Sequence, residues 1–204
     1  MQRIRRIGLI GAIFQVSRHA LGWSRTLAGA RGWYGPARGA ARLSLQPGFG
    51  LMCLGKGDLY MTAVYRNQGL HFAYPEGWEL EESHSEPRSV TVHSPGGAFW
   101  SITRYPVGTP PADLIGAAIS RMRQEYQHLD SESATETLQG RQLVGCNLNF
   151  FHFDLTSTAV FRSFRDPRGT YLIYYQAEDR EFDALEDVFR AITISALLPD
   201  NAPD

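Results

Sequence analysis

Two segments of this chain, 143–153 (LVGCNLNFFHF) and 171–175 (YLIYY), carry apolar residues on both faces of an extended backbone. Side chains alternate across a strand, so such a strand must be covered from above and below. The turns between neighbouring segments are short. Asp166-Pro167-Arg168-Gly169 joins 158–165 to 170–177, and Pro95-Gly96-Gly97 joins 89–94 to 98–105. A parallel crossover needs about a dozen residues, so these neighbours run antiparallel. The pattern predicts an antiparallel sheet with helices on both faces.

The other elements fit that frame. LHFAY (70–74) predicts a strand that stops at Pro75, which has no N–H to offer a ladder. In Tyr74-Pro75-Glu76-Gly77, proline at the second position and glycine at the fourth match a type I turn, after which WELEE (78–82) starts a second strand. On the strand 98–105, Trp100 and Ile102 share one face while Phe99 and Tyr105 share the other. Thr109 before Pro110 reads as a helix cap, and the helix at about 110–128 places Ile115, Ile119, Met122 and Tyr126 at helical spacing. ATETLQG (134–140) is a further strand. A last helix at about 180–195 carries Phe182, Leu185, Val188, Phe189 and Ile192 on one stripe. The expected class is α+β: an antiparallel β-sheet of about six strands flanked by helices, an α/β/α sandwich.

Charge divides the chain. Residues 1–57 hold nine basic residues, no acids and 11 of the 20 glycines. Residues 58–204 hold eleven arginines against all 21 acids, a net of −10. The expected organisation is a basic, Gly-rich extension over 1–60, disordered or mis-assigned, one α+β domain over 61–198 and a disordered tail over 199–204. Met61 is then the expected start, with a cytoplasmic location; the alternative is export through residues 1–30, where Arg3, Arg5 and Arg6 precede IGLIGAIFQV. That apolar run is too short to span a bilayer. The acidic part lacks a basic stripe, so nucleic acid is not an expected partner. It contains one cysteine, Cys146, which cannot form an internal disulfide.

The opening Phe72-x-Tyr74-Pro75-x-Gly77-Trp78 element, the hairpin after it, the helix after Pro110-Pro111 and the last helix after Tyr171-Leu172-Ile173 resemble the PsbP-like superfamily over about 68–198. That superfamily includes the photosystem II PsbP proteins, the Ran-binding Mog protein, bacterial DcrB and the Eag chaperones of type VI secretion. The resemblance implies an antiparallel sheet in an α/β/α sandwich. It also implies a protein that binds others or stabilises assemblies, and it transfers no functional residues.

Catalytic motifs are scarce. No Gly-x-Ser-x-Gly elbow, phosphate loop or dinucleotide fingerprint occurs in the domain. Cys146, His152 and Asp154 share parity on one strand, but Cys146 and His152 lie about 20 Å apart along it. Val144, Leu148 and Phe150 on the same face make Cys146 a small core residue. No cofactor, metal or catalytic group is expected. Aromatic residues are the informative class, since there are more of them than one small core needs. Most belong inside, and the remainder would form a partner site. Phe99, Tyr105, Phe151 and Phe153 are the candidates, because they face opposite to Trp100 and Phe150. The expected function is a non-enzymatic interaction module, acting as adaptor, chaperone or assembly factor for another protein, itself a monomer or homodimer. The alternative is a small-molecule or ion-binding protein whose sheet-edge groove uses Arg104 and Arg162 as anchors, with Arg165 beside them if their strands adjoin.

Overall fold

The computed structural model describes residues 50–53, 59–67, 69–152 and 154–198. Along the chain these form β1 (Gly50–Cys53), β2 (Leu59–Asn67), β3 (Leu70–Pro75), β4 (Glu79–Ser83), β5 (Arg88–His93) and β6 (Phe99–Tyr105). Then follow α1 (Pro111–Glu125), β7 (Leu129–Leu138), β8 (Arg141–His152), β9 (Leu155–Asp166), β10 (Gly169–Glu178) and α2 (Asp179–Leu197). The main sheet has seven strands in the order β4-β5-β6-β10-β9-β8-β7, and β1-β2-β3 form a separate small sheet. Every pairing is antiparallel.

The central strands carry apolar side chains on both faces, and each face has its own core. One face packs Phe99, Tyr105, Leu148, Phe161 and Tyr174 against Leu114, Ala118 and Met122 of α1. The other packs Trp100, Ile102, Ile173 and Tyr175 against Val188, Phe189 and Ile192 of α2. Each large side chain so buried contributes about 1.5–3 kcal/mol. Polar clamps fix the second layer. The Trp100 indole N–H donates to Thr193 Oγ1 at 3.0 Å. The Ala73 N–H donates to Ser195 Oγ at 2.9 Å, tying the small sheet to α2. The α+β sandwich expected from the strand pattern is therefore present.

Several local expectations shift. The main sheet has seven strands where about six are expected, and the described segments 50–53 and 59–67 join β3 in a second, small sheet. Met61 lies inside β2, and its carbonyl accepts the Glu76 N–H at 2.9 Å, so the described strands begin ahead of the expected boundary. Residues 1–49 and the tail 199–204 lie outside the described residues. The turn after β3 closes from the Trp78 N–H to the Pro75 carbonyl, one residue later than the type I reading placed it. This sets Trp78 edge-on against Phe189, ring centres 5.9 Å apart. Thr109 does not cap α1: its hydroxyl donates back to the Pro106 carbonyl, and Pro110 stands at the cap position.

One charge is built into the second face. Arg162 on β9 is 8% exposed. Its Nε donates to Glu136 of β7 at 2.5 Å, and its Nη1 donates to the carbonyls of Phe161 and Cys146. Arg190 of α2 approaches the other Glu136 oxygen at 3.6 Å. Room for the guanidinium comes from Gly145 on β8, which pairs with Arg162. A Cβ at Gly145 would stand 2.0 Å from the Phe161 carbonyl and 2.9 Å from Arg162 Cδ. The clash with backbone cannot be relieved by a rotamer change. Gly145→Ala is therefore expected to destabilise the protein by about 1–3 kcal/mol, read as a lower denaturant midpoint. An unchanged midpoint would contradict the packing described for this strand pair.

Candidate functional site

With both faces of the sheet covered, surface for a partner is left at its rim and ends. The end where α1 runs into β7 meets the β8–β9 hairpin there. The chain leaves α1 at Tyr126, whose backbone N–H closes on the Met122 carbonyl at 2.8 Å. Tyr126 packs its ring on Phe150, with centres 4.2 Å apart, and meets His152 edge-on at 5.8 Å. Across from them the hairpin turns at Asp154, in the left-handed region at φ 62°, which aspartate tolerates. His152 pairs with Leu155 just inside that turn. Phe151 is 62% exposed and Leu155 is 55% exposed. Glu125, Tyr126, Gln127, His128, Phe151 and His152 line an open cleft of about 320 Å³.

The electrostatics of the cleft follow from partial burial. Desolvation lowers the His152 pKa below its ordinary value, and the Glu125 carboxylate opposes that only in part. The neutral imidazole is thus favoured. Desolvation, with a smaller contribution from Glu125, pushes the Tyr126 phenol up to about 12, so this hydroxyl keeps its proton. The cleft offers aromatic surface and neutral polar groups with a carboxylate at its edge.

The sequence-derived candidates separate. Phe99 and Tyr105 are 2% and 1% exposed beneath α1, which corrects their assignment to a partner surface. They do face away from Trp100 as expected, but that face is the second core and not open sheet. Phe151 is at the surface, and Phe153 lies outside the described residues. Arg104 and Arg162 do not meet. They project from β6 and β9 with β10 between, and Arg162 turns to Glu136 while Arg104 reaches past Gly69. Arg165 is exposed and donates to the Thr109 carbonyl at 3.4 Å. The expected double anchor is therefore absent, because β10 intervenes and the two side chains belong to different networks. Near Arg104, Gly69, His71, Arg141, Asp166, Arg168 and Tyr171 surround a cavity of about 20 Å³. That is room for about one water, not for an organic ligand.

Cys146 is 1% exposed, and burial pushes its thiol up to about 11 despite Arg162 nearby. It belongs to the α1-side core, as its neighbours on the strand imply. Among the described residues no three His, Cys, Asp or Glu side chains converge as a metal site would need. No helix among them is long and apolar enough to cross a membrane. Sequence reasoning missed Tyr126 and His128 as cleft residues, and Leu155 as an exposed residue of the neighbouring hairpin. By spacing Tyr126 belongs to the helix stripe, and only the end of α1 at Glu125 frees it to face the hairpin.

No family model matches the chain, and no curated protein matches it. Solved structures do. Cyanobacterial PsbP from Synechocystis is 13% identical, with 71% of this chain and 95% of that one covered and a TM-score of 0.48. PA94, a Pseudomonas aeruginosa protein of unknown function, is 11% identical over 69% of this chain and 99% of its own, at 0.43. LpqN of Mycobacterium tuberculosis, involved in cell envelope biogenesis, is 13% identical over 71% and 87%, at 0.37.

Two outcomes check the site's chemistry. A histidine whose folded pKa is depressed binds its proton more readily in the unfolded chain. Its contribution to stability is complete above about 6.5 and is lost as pH falls through that value towards the folded pKa. Melting temperature should drop on acidification across this window, and His152→Gln should remove part of the drop; identical slopes would contradict the assignment. In a Cys53→Ser variant, native protein at mildly alkaline pH should leave Cys146 unlabelled by a disulfide reagent, with one equivalent reacting after unfolding.

Proposed function

We propose that this chain is a non-enzymatic interaction module, an adaptor, chaperone or assembly factor, and that its partner protein docks at the Tyr126–Phe151 cleft and the tip of the β8–β9 hairpin. The observation that carries the reading is that one hairpin tip exposes a large hydrophobic on each of its faces, Leu155 beside His152 and Phe151 on the other side, next to an aromatic-lined cleft. Exposed apolar side chains grouped at one place mark partner sites, whereas single ones scattered over a surface do not. Met61 and Val64 on β2 and Val107 before α1 are exposed too, but none of them lines the cleft. A rim site also suits a fold whose two faces are both used for stability. The net charge of −10 on 58–204 favours a protein partner over nucleic acid. The location follows the start, cytoplasm from Met61 or export through residues 1–30.

The test is a double substitution, Phe151→Ser with Leu155→Ser, in the full chain. Both side chains are more than half exposed, so folding stability should stay within about 0.5 kcal/mol. A tagged wild-type protein should bring down a stoichiometric partner from cells of its source, and the variant should lose at least about tenfold of it. Equal recovery by a folded variant would overturn the site. A ligand-dependent rise in melting temperature without any partner would instead favour the small-molecule reading, for which the cleft volume is at the low end of the usual range.

A further inference from the structure

The main sheet has two edges, and they are managed differently. The β4 edge is five residues long, and Glu82 on it lies beside Tyr65 of the small sheet, near enough to help raise that phenol to about 12 after burial. The β7 edge is ten residues long and pairs with β8 along its whole length. Its other side has no strand against it among the described residues. Its sequence, LDSESATETL, contains no proline, glycine or lysine, and its register with β8 runs without a bulge. Proline, lysine and bulges are devices that blunt a long edge; the charges β7 does carry are all acidic, with Glu136 turned inward onto Arg162. A long edge free of proline and bulges keeps its row of backbone donors and acceptors available, and its acidic side chains turn away an acidic or like-charged strand.

Charge decides what kind of chain fits. The even-numbered side chains of β7 point to the α2 face, where Glu136 is held by Arg162 and Arg190. Asp130 and Glu132 on the same face are exposed and make no ion pair among the described residues. A second copy of β7 is a poor occupant. Antiparallel registers centred on Ser133 or Ala134 set Asp130 or Glu132 opposite Glu136, and like charges directly opposed destabilise a pair. A strand with basic side chains at alternate positions would meet Asp130 and Glu132 two residues apart on one face. The first residue of β7, Leu129, pairs with Phe150, so the edge begins at the cleft beside Phe151.

We propose that β7 is a strand-addition edge that receives an extended, basic segment of the partner protein, running alongside Asp130 and Glu132. This rests on the partner-binding reading above and adds to it the chemistry of the bound segment.

The probe is a fluorescent ten-residue peptide of alternating Lys and Val, titrated into the full chain at low salt and followed by anisotropy. Controls are the Glu/Val analogue and two N-methylated Lys/Val peptides, one blocked along each edge. The Lys peptide should bind at least about tenfold more tightly than the Glu peptide and weaken at high salt. N-methylation of one edge should abolish binding while the other edge tolerates it, and β7 amides should gain hydrogen-exchange protection. The double variant Asp130→Lys with Glu132→Lys should reverse the preference between peptides. Binding that ignores N-methylation on either edge would mean charge attraction alone and would overturn the proposal. So would the absence of binding, or β7 amides already protected without peptide. If these results fail while Phe151→Ser with Leu155→Ser still loses its partner, the edge proposal falls and the cleft reading stands; the reverse result removes the cleft reading alone.

Discussion

The sandwich depends on one constraint, the two-sided burial of β6, β10 and β9. Ile173 is fully buried against α2 while its neighbours Leu172 and Tyr174 are buried against α1. Neither helix can be lost without leaving a row of aromatic and branched side chains in water, at about 1.5–3 kcal/mol each. The same constraint limits function. A sheet that spends both faces on stability has only its ends, its edges and its loops to offer. The paired exposed hydrophobics at the β8–β9 hairpin tip belong to that remainder.

Electrostatics reinforce this division. The buried Arg162 would carry a heavy desolvation cost alone, and Glu136, two backbone carbonyls and the space above Gly145 together offset it. The pair also links the β7 edge to the sheet interior, because Glu136 is a β7 residue held from β9 and α2. The outer part of β7 is free of that task and keeps its acids in solvent. The β7 strand is thus tied to β9 and α2 at one end and presents charge at the other.

The antiparallel connections and the opposite facing of Trp100 and Phe99 were legible in the sequence, since they rest on alternation and short turns, both local properties. So was Cys146 as a core residue. Which of two apolar faces would be open was not legible. Phe99 and Tyr105 look like surplus aromatics until α1 is seen to lie over them, and that is a matter of tertiary packing. The separation of Arg104 from Arg162 depends on strand order, because β10 enters between β6 and β9 from seventy residues downstream of β6 along the chain. The polar first half of β7, LDSES, carries no apolar alternation and reads as loop, although pairing with β8 extends it. Tyr126 was seen as a helix residue, and its role in the cleft needed the point at which α1 stops.

The central claim is that the hairpin end, and not another exposed apolar spot, meets the partner. Met61 offers a fair comparison, being 53% exposed on the small sheet. A photoreactive phenylalanine analogue placed at 151 or at 61 in the full chain, activated inside cells of the source organism, would test the claim most directly. The account predicts one dominant cross-linked protein from position 151 and none from position 61. A partner captured from position 61 alone would contradict it.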